Sequence, residues 1–502
     1  MKIDESTPRA RFFLPARQGA GAALVALYFL LLPVLLSGCG GAPAGVAPPV
    51  LAPPAVPAAS DEAFLDDVSH RTFLYFWDLA DPTTGLIPDR WPTRSFASVA
   101  ATGFGLTAYP IGAERGWITR EAARERTLHT LRFLAGAPEG DAAVGMTAYH
   151  GFFYHFLDPS TGRRFEKVEL STVDTALLLA GVMFTAEYFD GSDPKEQEIR
   201  RLAERLYDRA DWTWAQPRPP SIVLGWHPES GFIHSDWRGY NEAMIVYLLA
   251  LGSTTHPVGE DAWGEWTSRY KTDEFEGQRY LQFAPLFGHH YSHVWIDFRG
   301  IGDPTIQKIG LDYFENSRRA TLAQRAWAIR NPRGWKGLSA DVWGVSACDG
   351  PADVELPYGN ETRRFWTYAG RGVGADFVLD DGTIAPTAAG GSVPFAPEVA
   401  IPALRAMAGR YGEPLYGRYG FVDAFNPSWN YPAEIAKLHH GRFVRGLGWF
   451  DTDWLGIDQG PILAMIENHR TGLVWKTMRK NPHLRRGLMR AGFTGGWLDE
   501  AP

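Results

Sequence analysis

Three carboxylates stand at the start of long apolar segments. Glu242 comes directly before nine uncharged residues, and Asp174 and Asp458 precede similar runs. A helix that is apolar on all sides is buried, and an unpaired charge is costly to bury. A helix N-terminus by itself favours an acidic residue, so one such carboxylate needs no functional explanation. Three of them indicate a site in which one protonated and one ionised carboxyl group perform general acid–base catalysis.

The loops before the apolar segments combine aromatic rings with polar side chains. They span residues 227–240, 287–299, 342–351, 419–426 and 449–454. Flat rings beside hydrogen-bonding groups are typical of a groove that binds a polysaccharide. The same rings would also pack between helices in a large core, which is the alternative interpretation. The candidates for substrate binding are Trp237, Tyr240, His293, Asp297, Arg299, Trp343 and Trp454, and the same loops contain Asp349 and Asp423.

No sequence pattern predicts a metal or another cofactor. His289, His290 and His293 are closely spaced but lack the HExxH pattern of a zinc-binding helix. No Walker, GxSxG or Rossmann pattern stands in a suitable context. Cys348 is interpreted as a buried thiol rather than a nucleophile. The chain is therefore expected to act without a cofactor.

The candidate carboxylates require helices that begin at one common face. Six apolar segments begin near Thr102, Thr172, Asn241, Ser317, Ala396 and Ile457. Amphipathic segments at residues 120–135, 195–211 and 261–271 lie between them. This alternation predicts an all-α fold, an (α/α)6 toroid of inner and outer helices with small loop hairpins. Parallel inner helices would bring the three carboxylates to the same mouth.

The N-terminal residues predict export. Basic residues precede an apolar run from Ala22 to Leu36, and the sequence Leu-Ser-Gly-Cys ends at Cys39. This ending resembles a bacterial lipoprotein signal, in which Cys39 is lipidated; an uncleaved membrane anchor is the alternative. The predicted organisation is a signal peptide at residues 1–39, an Ala/Pro-rich linker at 40–60 and a catalytic domain at 61–502. In a Gram-negative cell the anchor would lie in the outer membrane.

The charge of the chain limits its partners. It has 57 acidic and 49 basic residues and a formal net charge of −8, which argues against nucleic-acid binding. We expect a polysaccharide or oligosaccharide substrate, membrane contact only through the lipid anchor, and a monomer.

Five segments together resemble the glucoamylase-like domain of bacterial endo-β-1,2-glucanases and cyclic β-1,2-glucan synthases. They are HHYSHVWIDFRG, WGVSACDGP, DDGTIAPTAAGGSVPFAPE, YGFVDAFN and GIDQGPILAMIENHRTGLVW. The resemblance extends from Phe64 to Trp497 and implies an (α/α)6 barrel that hydrolyses a glycan, with β-1,2-glucan as the expected substrate. It further implies that Glu242 is the general acid and that Asp423 acts through water, which favours inversion. The family often has the sequence Ser-Asp-Gly-Pro, and this chain has Cys348 in place of the Ser.

Two other functions remain open at this point. A polysaccharide lyase on the same toroid would use His293 and Arg299 as base and uronate partner. A surface glycan-binding lipoprotein would have no working acid–base pair. The partner of Glu242 is also open, because Asp174, Asp349 and Asp458 are alternatives to Asp423 as catalytic or subsite carboxylates.

Overall fold

A computed structural model of the chain describes residues 60–500. The signal segment, Cys39 and the linker up to residue 59 lie outside the described residues. The described part is mostly helical. Its α-helices are α1 Asp61–Leu79, α2 Val99–Glu114, α3 Arg120–Gly136, α4 Thr172–Tyr188, α5 Pro194–Asp208, α6 Met244–Gly252, α7 Asp261–Thr267, α8 Tyr291–Trp295, α9 Pro304–Lys308, α10 Tyr313–Arg330, α11 Pro386–Gly390, α12 Pro397–Tyr411, α13 Gly456–Arg470, α14 Leu473–Met478 and α15 Pro482–Arg490. Single turns of 3-10 helix span Leu286–His289 and Gly496–Leu498.

The strands are short and none forms a central sheet among the described residues. They are β1 Arg90–Trp91, β2 Ala97–Ser98, β3 Ala148–Tyr149, β4 Phe152–Phe153, β5 Phe156–Leu157, β6 Leu170–Ser171, β7 Gly225–His227, β8 Gly231–Phe232, β9 Thr272–Phe275, β10 Gln278–Leu281, β11 Ala347–Cys348, β12 Val354–Tyr358, β13 Glu361–Phe365, β14 Ala369–Gly370, β15 Gly372–Val373, β16 Val378–Leu379, β17 Tyr416–Gly417, β18 Gly420–Phe421, β19 Phe425–Asn426, β20 Arg442–Val444, β21 Gly448–Phe450 and β22 Trp454–Leu455. All pair antiparallel in ladders of two or three strands.

Helices α2 and α4 form a closely packed pair in the interior. Both are buried on nearly all sides. A Cβ at Gly103 would lie 2.4 Å from the Leu177 carbonyl oxygen, and one at Gly181 would lie 2.1 Å from the Gly103 carbonyl oxygen. Only glycine allows the two backbones to approach so closely. Helix α13 packs against α2, and α6 packs against α4, so the apolar segments predicted from sequence do meet in the interior.

The prediction of inner helices is wrong for two of the six segments. The segments that begin near Ser317 and Ala396 belong to α10 and α12, which bury only part of their surface. The short helices α8 and α11 contact the central helices instead and are buried throughout. Five residues are too few to display a helical period. The sequence pattern therefore predicted the longer helices that follow them in the chain.

Several strand ladders join loops that are distant in sequence. β1 pairs with β22, so that Arg90 lies opposite Leu455, and β2 pairs with β5, so that Ser98 lies opposite Phe156. These ladders lie next to the first residues of α2 and α13 and fix the loops there. Within residues 60–500, no helix is both long and apolar enough to cross a membrane.

Candidate active site

The predicted carboxylates lie where the sequence placed them along the helices. Asp174 and Asp458 are in the first turns of α4 and α13, and Glu242 lies two residues before α6 begins. Ser171 caps α4 by accepting a hydrogen bond from the Asp174 backbone N–H, and its hydroxyl donates to the Asp174 carboxylate over 2.5 Å. The cap therefore fixes the side chain of Asp174 as well as the helix end.

Glu242 is a buried carboxyl group with little to stabilise a charge. It is 7% exposed, and its Oε2 has no hydrogen-bond partner among the described residues. Burial, together with a smaller effect of the nearby Asp174 charge, raises the pKa of Glu242 to about 7 against the effect of its own backbone N–H. Glu242 therefore retains a proton close to neutral pH, as a general acid must.

Asp174 is the charged neighbour of Glu242 and has a histidine partner. The Nε2 of His155 lies 3.5 Å from the Asp174 Oδ1, and its Nδ1 lies 2.8 Å from the Glu169 Oε1. Asp174, Glu169 and Asp89 together raise the pKa of His155 to about 9 although burial lowers it. The imidazole is thus positively charged at neutral pH.

A second group of carboxylates surrounds Asp423. Its Oδ2 accepts a hydrogen bond of 2.7 Å from the Asp349 backbone N–H, and its Oδ1 has no partner among the described residues. The carboxyl groups of Asp423 and Asp458 lie within hydrogen-bonding distance of each other. Burial raises the pKa of Asp458 to about 7, and burial together with the Asp458 charge raises the pKa of Asp423 well above its usual range. The two carboxyl groups therefore titrate as a coupled pair, in which the charge on one opposes ionisation of the other.

Two cations partly balance this acidic group. An Arg90 guanidinium nitrogen lies 2.7 Å from the Asp349 carboxylate, and another lies 3.2 Å from that of Asp89. The His440 Nε2 lies 2.9 Å from Asp451, and hydrogen bonds with Asp451 and Asp453 raise the pKa of His440 to about 10. Both positive charges lie within the carboxylate cluster.

Tyr291 lies between the two groups. The first residue of α8 is buried, and burial raises the pKa of its phenol well above the usual value, with further contributions from the charges of Asp458, Glu242 and Asp174. Tyr368 also raises the pKa of the Tyr291 phenol, and its side chain is 37% exposed. Its pKa is raised by burial of the hydroxyl and by Asp349 and Asp423. The charges of the carboxylates therefore act on the hydroxyl groups of both tyrosines.

Sequence reasoning missed much of this site. The missed residues are Asp89, Arg90, His155, Glu169, Tyr291, Tyr368, His440, Asp451 and Asp453. The segment Trp449 to Trp454 was noticed for its aromatic rings, and the Asp-x-Asp within it was the available signal for Asp451 and Asp453. Tyr291 reaches the site as the first residue of α8, and the remaining residues lie in or beside short strands and loops, which leave no local pattern.

His293, Asp297 and Arg299 make their polar contacts outside the carboxylate cluster, and their role in substrate binding stays a prediction. His293 is buried and its Nε2 lies 3.1 Å from the Ser317 hydroxyl. The Asp297 carboxylate pairs with Arg299 at 2.7 Å and also with Arg479. The Arg299 guanidinium lies 4.5 Å above the ring of Trp475, which belongs to α14, beyond the C-terminal end of α13. The Arg299–Trp475 contact thus lies near the C-terminal end of α13, whereas Asp458 lies in the first turn of that helix.

Three predicted aromatic contacts also belong to the core. Trp237 is 2% exposed and its indole N–H donates to the Thr172 hydroxyl. Tyr240 is buried against Tyr313, and Trp343 is fully buried. The loops fold back over the helices, so their rings pack inward. Trp454 remains partly exposed, next to the strand residue that pairs with Arg90.

The closely spaced histidines do not converge on one point. His289 contacts the Phe283 carbonyl oxygen, His290 the Ser392 hydroxyl and His293 the Ser317 hydroxyl. Two other groups within residues 60–500 have ligand atoms within 4.8 Å of one another: His440 with Asp451 and Asp453, and Asp349 with Asp423 and Asp451.

Activity is expected to survive exhaustive chelation. Arg90 and His440 already supply positive charge to the carboxylates, so the site does not need a metal ion to balance them. The measurement is turnover before and after dialysis against a strong chelator. Loss of activity that a divalent metal restores would contradict this expectation and would direct attention to Asp349, Asp423 and Asp451.

The chain resembles proteins whose names refer to glucoamylases and β-1,2-glucanases. A family model described as "Putative glucoamylase" matches residues 234–482. A solved structure from Bacteroides uniformis with the same designation is 32% identical, with a TM-score of 0.74, and the match covers 88% of this chain and 99% of that chain. An endo-β-1,2-glucanase from Chitinophaga pinensis, solved with sophorotriose and glucose, is 27% identical with a TM-score of 0.73, over 88% of this chain and 100% of that chain.

A curated relative acts on the same kind of glucan from the chain end. It is an exo-β-1,2-glucooligosaccharide sophorohydrolase, acting at the non-reducing end, from Parabacteroides distasonis. It is 29% identical over 465 residues, which cover 86% of this chain and 58% of the relative. The chain thus spans a little over half the length of that relative.

Proposed function

The chain belongs to the glucoamylase-like family, and from this premise we propose that it is a glycoside hydrolase that cleaves β-1,2-glucan. The observation that carries the proposal is the buried Glu242, which retains its proton close to neutral pH, in a site that also contains the coupled pair Asp423–Asp458, to which we assign the carboxylate. Glycoside hydrolysis requires such a combination of one carboxylic acid and one carboxylate. The substrates named for the relatives from Chitinophaga pinensis and Parabacteroides distasonis support the choice of glucan.

Each carboxyl group has a distinct role in this proposal. Glu242 donates its proton to the leaving glycosidic oxygen. The Asp423–Asp458 pair accepts a proton from the attacking water, and Asp423 is the member with an unpartnered buried oxygen available for this. The Asp349 backbone N–H fixes the other Asp423 oxygen.

The reaction proceeds with inversion in this proposal. Inverting enzymes place their two carboxyl groups about 6.5–9.5 Å apart to admit a water molecule, whereas retaining enzymes place them about 5–5.5 Å apart. An Asp423 that acts through a water molecule requires the wider of these two separations. The anomeric form of the first product, followed by NMR, tests this: the α-anomer is expected, and initial release of the β-anomer would contradict it.

The fold is proposed to be the (α/α)6 toroid of the family. Contacts of α2 with α4 and α13, of α4 with α6, and of α8 and α11 with α13 support a ring of inner helices. Helices α1, α3, α5, α10, α12 and α15 are then the outer layer. An experimental structure in which α4 and α13 begin on opposite faces would contradict this arrangement.

A linkage screen tests the proposed activity. Purified residues 61–502 are incubated with linear and cyclic β-glucans and with α-glucans, and reducing ends and product linkages are measured. We expect cleavage of β-1,2-glucan into a range of oligosaccharides, the pattern of endo action, because the match covers the whole of the endo-acting relative. Release of sophorose alone would indicate exo action. Unsaturated products would indicate a lyase, and no cleavage would leave only glycan binding.

The pH dependence of activity should follow Glu242. Because burial raises its pKa to about 7, Glu242 is protonated below that pH and loses its proton as the pH rises through it. We therefore expect kcat/KM on β-1,2-glucan to fall on the alkaline side with an apparent pKa near 7. A profile that stays flat to pH 9 would contradict the role of Glu242 as acid.

The protein is proposed to be exported and held at the membrane by a lipid on Cys39. The Leu-Ser-Gly-Cys sequence after an apolar segment supports this location. Cys39→Ser should release the protein from the membrane fraction or leave its precursor unprocessed, as detected by fractionation and immunoblotting. Normal processing with unchanged membrane association would contradict the proposal.

A further inference from the structure

His155 is the buried charged group closest to the acid side of the site that the mechanism does not yet use. Its backbone N–H donates to the Glu169 carbonyl oxygen over 2.9 Å, and its carbonyl oxygen accepts from the Val99 N–H over 3.2 Å. Its ring stacks on Phe156 with 3.8 Å between centroids. His155 is therefore fixed between the start of α2 and the segment that leads into α4.

The side chain connects two carboxylates, and the charge of one of them, Asp174, acts on Glu242. Nδ1 lies 2.8 Å from the Glu169 Oε1 and Nε2 lies 3.5 Å from the Asp174 Oδ1. The other Asp174 oxygen accepts from the Ser171 hydroxyl over 2.5 Å. Both Asp174 oxygens are thus held by groups that favour its ionised form.

We propose that His155 is a positioning residue for the proton donor: its imidazolium, held by Glu169, keeps Asp174 ionised, and the Asp174 charge in turn keeps the proton on Glu242. This inference rests on Glu242 being the general acid. It assigns His155 no contact with substrate.

The charges around His155 and Asp174 determine the sign of the effect. The titratable groups that face them are Asp89, Glu169, His227, Tyr291 and Asp458. Burial and the Glu169 charge raise the pKa of Asp174, and His155 lowers it. Without the positive charge of His155, Asp174 takes up a proton at a higher pH. A neutral Asp174 no longer opposes ionisation of Glu242, so the pKa of Glu242 falls.

The test is the pH profile of kcat/KM for His155→Gln on β-1,2-glucan. The amide retains hydrogen-bonding capacity but carries no charge. We expect the alkaline limb to move to lower pH by at least about half a pH unit. A limb that stays in place or moves to higher pH in the folded variant would overturn the inference.

Asp174→Asn provides a second route to the same result, should His155→Gln fold poorly. It removes the Asp174 charge directly and should move the alkaline limb to lower pH. The double variant of His155→Gln and Asp174→Asn should move the limb no further than Asp174→Asn alone. Additive shifts, or an unmoved limb in Asp174→Asn, would contradict the proposed line of action.

His483→Gln is the matched control. His483 is also a buried histidine paired with a glutamate, since its Nε2 lies 3.1 Å from Glu204. It lies at the opposite end of α6 from Glu242, where its carbonyl oxygen approaches Gly252, and should leave the limb unmoved. If the wild type is inactive, or if Glu242→Gln is fully active, the proposed function itself is refuted. If the wild type is active and depends on Glu242, but the alkaline limb of His155→Gln does not move, only this inference is refuted.

Discussion

Glu242→Gln is expected to lower turnover of β-1,2-glucan at least about a hundredfold, which corresponds to about 2.7 kcal/mol of lost transition-state stabilisation. The amide keeps the shape of the side chain but cannot donate a proton to the leaving oxygen. The loss should appear in kcat, because protonation of that oxygen develops in the transition state. Steady-state kinetics at the wild-type pH optimum measure the effect.

Stability should change little in the same variant. Glu242 is already protonated near neutral pH, and its Oε2 has no hydrogen-bond partner within residues 60–500, so the neutral amide introduces no new buried charge. Thermal unfolding monitors this. Glu187→Gln is the matched control, because Glu187 is a partly buried glutamate at the opposite end of α4 that accepts from Asn481 over 3.0 Å, and its amide can still accept. It should retain wild-type turnover.

Asp423→Asn should also lower turnover at least about a hundredfold, whereas Asp458→Asn should lower it less than about tenfold. Replacing Asp423 removes the oxygen that receives the proton from water. Replacing Asp458 leaves that oxygen in place, and the new amide can donate a hydrogen bond to the Asp423 carboxylate. Comparison of kcat for the two folded variants measures the difference.

Two outcomes would contradict this division of roles. Equal large losses would show that the two carboxyl groups cannot be separated and that the pair acts as one base. A larger loss in Asp458→Asn would show that Asp458 faces the attacking water. In both cases Glu242 would remain the acid, so the second prediction fails independently of the first.

The sequence predicted site residues best where a carboxylate also occupies a recognisable position in a local sequence pattern. Glu242, Asp174 and Asp458 could be predicted because each stands at the start of an apolar helix, a feature that the local sequence shows. Asp423 came from resemblance alone. In the structure it lies within hydrogen-bonding distance of Asp458, a contact between β18–β19 and α13 that no local pattern predicts.

The cations of the site could not be predicted for the same reason. Arg90 and His155 reach the carboxylates through the β1–β22 and β2–β5 ladders, which join residues more than fifty positions apart. His440 comes from a loop without a periodic pattern. The aromatic rings show a different difficulty. Trp237 and Trp343 stand in polar segments of the sequence, yet their side chains pack into the core. Ring type and loop composition do not determine which way a side chain points.

A comparison of leaving groups tests the central claim most directly. Wild type and Glu242→Gln are assayed on β-1,2-glucan and on the β-fluoride of a β-1,2-linked gluco-oligosaccharide, whose fluoride leaves without protonation. If Glu242 is the proton donor, the variant should lose at least about a hundredfold on the glucan but less than about tenfold on the fluoride. An equal loss on both substrates would show that Glu242 does not protonate the leaving group and would contradict the account.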